Sequence, residues 1–230
     1  MDVGIVGGTG PAGRALGTRL ASVGFKVVIG SRSAERAQEI VDGIHKKWPD
    51  RNLPLSAAAN AQAASAPIVV LATPWDAAAD TAASLREQLA GKVVISMGNA
   101  LAKVDGELQP VVPPLGSVAA GVQAAVPEAL VSAAFHHLPA RSLADLDRPA
   151  SGDVLVCTDH EQALEATSEL VRRLPDLRPF SAGSLAAAAP VEAFTAVLLG
   201  LNARYKGRAT IHLTGIAATG SAGAVGERRP

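Results

Sequence analysis

Val3-Gly4-Ile5-Val6-Gly7-Gly8-Thr9-Gly10-Pro11-Ala12-Gly13 decides the fold, because a short β-branched run passes directly into Gly8-x-Gly10-x-x-Gly13 and then into a helical stretch, Arg14 to Val23. This is the strand-to-helix turn on which a nucleotide pyrophosphate sits. In that reading Gly8 permits the tight turn, Gly10 lets the backbone approach the phosphates, and Gly13 lets the helix lie close to the strand. Unpaired N–H groups at the helix start then face the anion.

Working outward, Lys26 to Gly30 reads as a second strand and Ser33 to Lys47 as a helix capped by Ser33, which completes a strand, helix, strand unit. Ala57 to Ala64 is expected as a short helix, Ile68 to Ala72 as a buried strand closed by Pro74, Asp76 to Leu89 as a helix, and Lys92 to Ser96 as the next strand. The alternation predicts an α/β chain of Rossmann type, a doubly wound and mostly parallel sheet. Further on, Pro110 to Pro114 marks an irregular loop, Ser117 to Ala124 a helix, and Leu130 to Phe135 a strand. Asp153 to Thr158 is a strand, Glu161 to Leu174 a helix, and Leu177 to Phe180 a strand at a sheet edge. From Ala186 to Asn202 the pattern turns helical and apolar, with Val191, Phe194, Val197, Leu198 and Leu201 near i, i+3, i+4 spacing. No other helix is left to cover it, so the sequence predicts a small helical C-terminal element that packs on the sheet and joins a second subunit in a homodimer. The expected division is residues 1–180 for the nucleotide-binding domain, 181–217 for the small helical domain, and 218–230 for a glycine-rich, disordered tail.

The 230-residue chain is 48% hydrophobic, enough for a substantial core. Its 21 basic and 21 acidic residues balance, which argues against nucleic acid and anionic membranes as partners. The first strand begins at once with no charged leader, and no apolar run is expected to approach the roughly 20 residues that span a bilayer. A soluble, cytoplasmic protein is the expectation. Cys157, the one cysteine, excludes an intrachain disulfide and a cysteine zinc site, and in Val154-Leu155-Val156-Cys157 it reads as a small core hydrophobe. Asp159, His160 and Glu161 are adjacent at a helix start and cannot converge on one ion, so no metal is expected.

The end of the second strand selects the nucleotide. An NAD-selective domain carries an acid there to accept the ribose 2′-hydroxyl. This chain has Gly30-Ser31-Arg32 instead, and a hydroxyl and a guanidinium both donate to a 2′-phosphate. NADP is favoured. Arg36 lies one helical turn beyond Arg32, and Thr9 supplies a hydroxyl from the glycine turn. The bland alternative makes Arg32 and Arg36 ordinary solvated charges on an exposed helix.

A resemblance extends this reading. Gly7-Gly8-Thr9-Gly10, Gly30-Ser31-Arg32, Thr73-Pro74-Trp75, Phe135-His136-His137-Leu138-Pro139-Ala140, Val156-Cys157-Thr158-Asp159 and Leu177-Arg178-Pro179-Phe180-Ser181-Ala182-Gly183 occur in that order. Together they resemble the NADPH-dependent reductases of the deazaflavin coenzyme F420. The resemblance implies reversible hydride transfer between the nicotinamide and the deazaflavin, stacked in a cleft between the sheet and the C-terminal element. It assigns Thr9, Ser31, Arg32 and Arg36 to the 2′-phosphate, and Gly10, Pro11 and Ala12 to the pyrophosphate. Thr73, Asn99, Leu101 and Ala140 would lie near the nicotinamide half, and His136 close to the deazaflavin, where its role is positioning. Trp75 either walls the cleft or caps the core, and Arg204, Lys206 and Arg208 either attract the acidic tail of the deazaflavin or form a solvated basic turn. Two other readings stay open, an imine or carbonyl reductase of the pyrroline-5-carboxylate reductase type and a non-enzymatic NADP-binding redox sensor. The short remainder after the sheet argues against the first.

Overall fold

A computed structural model describes residues 2–216. The N-terminal half alternates β1 (Asp2–Val6), α1 (Pro11–Ser22), β2 (Lys26–Ser31), α2 (Ala34–Lys47), β3 (Leu55–Ala59), the single turn α3 (Asn60–Ala63) and β4 (Ile68–Leu71). A 3₁₀ turn at Trp75–Ala77 leads to α4 (Ala78–Ser84), α5 (Arg86–Leu89) and β5 (Val93–Ser96). There follow β6 (Leu101–Val104), β7 (Glu107–Pro110), α6 (Val118–Ala125), β8 (Leu130–Ala133), α7 (Ala140–Leu143), β9 (Gly152–Thr158), α8 (Glu161–Arg173), β10 (Leu177–Gly183) and α9 (Ala188–Tyr205).

Eight strands form one sheet in the order β10-β9-β8-β5-β4-β1-β2-β3. The chain steps from β1 outward to β2 and β3, then returns to place β4 on the other side of β1. That reversal opens a crevice beyond the C-terminal ends of β1 and β4, where doubly wound sheets take their ligands. β9 pairs antiparallel to β8, with Ser132 opposite Thr158 and Ala133 opposite Cys157. The start of β9 therefore lies beyond the C-terminal end of β8, on the ligand side.

Side chains alternate between two cores. Val3, Ile5, Ile68, Val70, Val93 and Ile95 pack with Leu16 and Leu20 of α1, Val41 of α2 and Leu170 of α8. Val6, Val69, Leu71 and Val94 face the opposite way onto Ala82 of α4, Val122 of α6 and Ala188 of α9. All four residues of β4 and of β5 are buried, as expected for central strands covered on both faces.

Several expectations need correction. Leu55–Ala59 is a strand, and helix is confined to Asn60–Ala63, because Val27 to Ser31 of β2 offer β3 a parallel register that outweighs the helical preference of alanine. Helix α1 begins at Pro11, whose fixed φ suits a first helical position. The helix expected over Asp76 to Leu89 is interrupted at Leu85. Leu101–Pro110, to which the sequence reading assigns no element before the irregular loop that starts at Pro110, forms the antiparallel hairpin β6–β7, turned by Asp105 and Gly106 at φ 49° and 88°. Helix α9 is not uncovered, since Glu192 bonds to the start of α6 and Ala188 joins the core. Leu185–Tyr205 also corrects the expectation about apolar runs, because this 21-residue helical stretch, with an 18-residue window of mean hydropathy 1.5, is long and apolar enough, by length and composition, to cross a membrane. β10 does lie at a sheet edge and runs through Gly183, past the division drawn at residue 180. The tail expected over 218–230 lies outside the described residues.

Candidate active site

The ends of β1, β2 and β4 and the start of α3 enclose a cavity of about 610 Å³. Thr9, Gly10, Ser31, Arg32, Arg36 and Thr73 all line it, together with Gly7, Ser33, Asn60, Ala72, Pro74, Ala77 and Thr81. Six residues singled out in the sequence thus meet around one space, and among the described residues no carboxylate lines it.

The glycine turn shows how its residues divide the work. The left-handed position is Gly7, at φ 71°, so the tight turn expected of Gly8 falls one residue earlier. Gly8 is instead required for close approach, because a Cβ there would stand 2.9 Å from the Ile5 carbonyl oxygen. At Gly10 the nearest atom to such a carbon is 3.7 Å away, an ordinary contact, so the fold itself does not demand glycine there. A Cβ on Gly13 would lie 2.8 Å from Ala72 Cβ and 2.9 Å from Gly8 Cα, so this glycine sets the distance between α1 and the sheet. The turn satisfies its own first donors: Gly8 N–H donates to Ile5 and Gly30 carbonyls, and Gly10 N–H to Gly7 O. No side chain caps α1, whose Ala12 and Gly13 N–H groups lack helical acceptors. Those donors, beside exposed Pro11 and Ala12, suit an anion.

At the other end of the cavity Ser33 caps α2, its Oγ accepting from Arg36 N–H at 3.1 Å. Arg36 pairs with Glu39 at 2.8 Å, both side chains being about two-thirds exposed. Such a solvated pair is worth little and yields readily to a better anion. Arg32 is exposed, and Ser31 is buried beneath it.

A second group lies farther along the same sheet edge, beyond β5 and β8. Asn99 Nδ2 donates to the His136 carbonyl at 2.9 Å. Among the described residues, Thr73 Oγ1, Asn99 Oδ1 and both ring nitrogens of His136 are buried without a hydrogen-bond partner. Native proteins pair nearly all such atoms, and exceptions call for an explanation. Burial, reinforced by neighbouring His137, pushes the His136 imidazole down to about 3, so it is neutral at physiological pH. His137 is a structural histidine, with Nε2 bonded to the Asp153 carbonyl at 2.9 Å. Preceding the pair, fully buried Phe135 adopts φ 63°, a costly conformation for a bulky residue. Ala140 opens α7 after Pro139, and Leu101 opens β6 two residues beyond Asn99.

A family model described as NADP oxidoreductase, coenzyme F420-dependent, matches residues 2–100. The F420-dependent NADP reductase of Methanocaldococcus jannaschii is 35% identical over 215 residues, covering 91% of this chain and 96% of that protein. This chain belongs to the F420-dependent NADP reductase family. The reductase of Methanothermobacter thermautotrophicus is 33% identical, with 94% of this chain and 96% of that protein covered. A solved structure from Arthrobacter sp. FB24, assigned provisionally as an F420-dependent NADP reductase, shares the fold at TM-score 0.77 and 24% identity, covering 94% and 99% of the two chains.

Within this family member the structure adds residues that the sequence reading missed. Arg19, buried in α1, donates to the carbonyls of Leu143 at 3.0 Å, Ser142 at 2.7 Å, Arg148 at 3.0 Å and Asp145, fixing the loop that follows Ala140. Glu192, on α9, accepts from Val118 N–H at 2.8 Å and Ala119 N–H at 3.2 Å. Its burial raises the carboxyl to about 7, with the two N–H donors pulling the other way. Three residues on, Thr195 is buried with an unpaired hydroxyl. Trp75 packs on the core and does not line the cavity. Arg208 is held by Asp145 at 2.9 Å. Cys157 is buried, its thiol pushed up to about 11 by desolvation and by Glu192. Among the described residues no cluster of His, Cys, Asp or Glu is suited to a metal.

Proposed function

We infer that this chain transfers hydride reversibly between NADP(H) and the deazaflavin coenzyme F420. The observation that carries the reading is the near full-length match to F420-dependent NADP reductases, together with the family-model match over residues 2–100, which takes in the whole glycine turn and cavity. The cavity suits NADP on chemical grounds: a Gly10 face with no protein atom closer than 3.7 Å to a would-be Cβ, free N–H groups at the start of α1, and Ser31, Arg32 and Arg36 at the far end, with no carboxylate among the described lining residues and Glu39 engaged only in a solvated pair with Arg36.

In this reading Thr9, Ser31, Arg32 and Arg36 hold the 2′-phosphate, and the turn from Gly8 to Gly13 receives the pyrophosphate. Thr73, Asn99, Leu101 and Ala140 border the nicotinamide, and His136 the deazaflavin. The unpaired Thr73, Asn99 and His136 atoms are support for this placement, since a polar ring system supplies the partners they lack. Hydride passes directly from one ring to the other when both are bound. The protein's contribution is to align them at about 3 to 3.5 Å in a dry cleft. A neutral His136 fits that task, offering one donor and one acceptor without moving a proton. Homodimer formation through α9 belongs to the same reading, supported by Phe194, Val197, Leu201 and Tyr205, which remain exposed.

The test mixes purified protein with NADPH and oxidised F420 and follows the deazaflavin's visible absorbance. Bleaching that requires all three components is the expected result. Tight NADPH binding with no bleaching would replace the enzyme by a sensor.

A further inference from the structure

We propose that Asn60 is a specificity-determining residue of the dinucleotide corner, holding the glycine turn through its amide oxygen while its amide nitrogen donates to the 2′-phosphate. The inference rests on the NADP reading above and adds to it a neutral donor from the short helix that follows β3.

Backbone geometry fixes where Asn60 stands. Ala59, the last residue of β3, pairs with Ser31, so the chain leaves the sheet beside Ser31 and Arg32 and enters α3 at once. That short turn lies directly on the first two strands. A Cβ on Gly4 would stand 1.8 Å from the Ala63 carbonyl oxygen, and one on Gly30 would stand 2.7 Å from Ala63 Cβ and 3.0 Å from Asn60 Oδ1. Two glycines in neighbouring strands thus make room for α3, and Asn60 has little freedom to move.

Its amide orientation follows from its partner. Gly7 N–H is a donor, so the atom 3.1 Å away must be the amide oxygen. With Oδ1 engaged, the planar amide turns its NH₂ the other way. The half-buried side chain lines the cavity with Ser31 and Arg32, and Nδ2 has no protein partner among the described residues. With its oxygen turned to Gly7 N–H, the end of the amide left free is the donor end. Donors suit a phosphate dianion, whereas the ribose 2′-hydroxyl of NAD is selected by an acceptor such as a carboxylate. Asparagine at this position therefore favours the phosphorylated ribose, and its acid isostere would oppose it.

Calorimetric titration with NADP⁺ and NAD⁺ tests this on the wild type, Asn60→Asp, Asn60→Ala and Arg32→Ala, with thermal melting to verify folding. Asn60→Asp keeps an acceptor for Gly7 N–H and turns the free donor into a charge. Its expected effect is a loss of about tenfold or more in NADP⁺ affinity, with NAD⁺ unchanged or tighter. In Asn60→Ala the NADP⁺ to NAD⁺ preference falls several-fold. If both Asn60 variants weaken the two cofactors equally, or neither, Asn60 merely holds the turn and the inference is overturned. Should Arg32→Ala abolish the preference while the Asn60 variants retain it, the inference alone falls. A wild type without preference for NADP⁺ would overturn the underlying reading as well.

Discussion

Selectivity at the residue scale comes from what stands at the end of β2. Arg32 is exposed and lines the cavity, so its guanidinium is free to close on a 2′-phosphate. Arg32→Ala is predicted to weaken NADPH binding by about ten- to a hundredfold, the worth of one charge-assisted bond, with NADH nearly untouched. Equal weakening of both in a fluorescence titration would remove Arg32 from the phosphate. His136 tests the opposite expectation, that no side chain carries a proton. Its imidazole stays neutral above about pH 3, so the pH dependence of kcat should show no histidine ionisation, and His136→Asn should retain measurable turnover. Loss of nearly all activity with both substrates still bound would make His136 a participant in the chemistry. The glycine turn, Arg32 and Arg36 were legible because their signals are local: a glycine spacing, a missing acid, a basic pair one turn apart; His136 was placed only by the family resemblance. Asn60 was not legible, because its meaning arises only when β3 pairs with β2 and brings position 60 against Gly7.

Placement at the element scale is set by two close approaches, one of backbone and one of charge. Gly13 permits α1 to lie against Ala72, and Gly13→Ala must push the helix away from backbone at Gly8. The prediction is equal weakening of NADPH and NADH, since the pyrophosphate donors move while the 2′-phosphate corner does not. A change in preference between them would place the effect elsewhere. Glu192 joins α9 to α6, and its carboxyl is raised from the ordinary value of 4.5 to about 7. The native state therefore holds a proton that the unfolded chain has released, and Glu192 costs stability as pH rises from about 4.5 through 7. His136 has the reverse sign. Its lowered value means that stability is lost as pH falls from 6.5 toward 3. The two slopes oppose each other where they overlap, so the wild type hides both. Denaturant midpoints should separate them: Glu192→Gln gains relative to wild type between pH 5 and pH 8, and a constant difference would show that Glu192 does not titrate there. Hairpin β6–β7 carried an Asp105-Gly106 signal in the sequence, yet its strands are mostly exposed and lack the apolar alternation that announces a strand.

For the whole molecule, the sheet was legible because apolar runs at regular spacing define it, while the surroundings of α9 were not. Its residues are apolar on several sides, so periodicity alone left its covered face undefined. Glu192, Thr195 and Leu198 turn inward, whereas Phe194, Val197, Leu201 and Tyr205 form a stripe outside, with exposures of 43%, 51%, 39% and 73%. Hairpin β6–β7, which packs on α9, adds Val104 and Leu108 at 41% and 40% exposed. A contiguous apolar surface of this kind is unusual on a monomer. Light scattering should accordingly give twice the 23.3 kDa chain mass. The double variant Phe194→Glu with Val197→Asp changes only this outer stripe, so it should fold, and the expected mass is that of one chain. In the proposed reading the deazaflavin stacks between the sheet and the C-terminal element, so freeing the outer face should raise KM for F420 while the NADPH dissociation constant, set at the distant end of the sheet, stays within about twofold. A wild type that scatters as a single chain at all concentrations would leave α9 a solvent-exposed helix and remove any part for a second subunit in shaping the cleft.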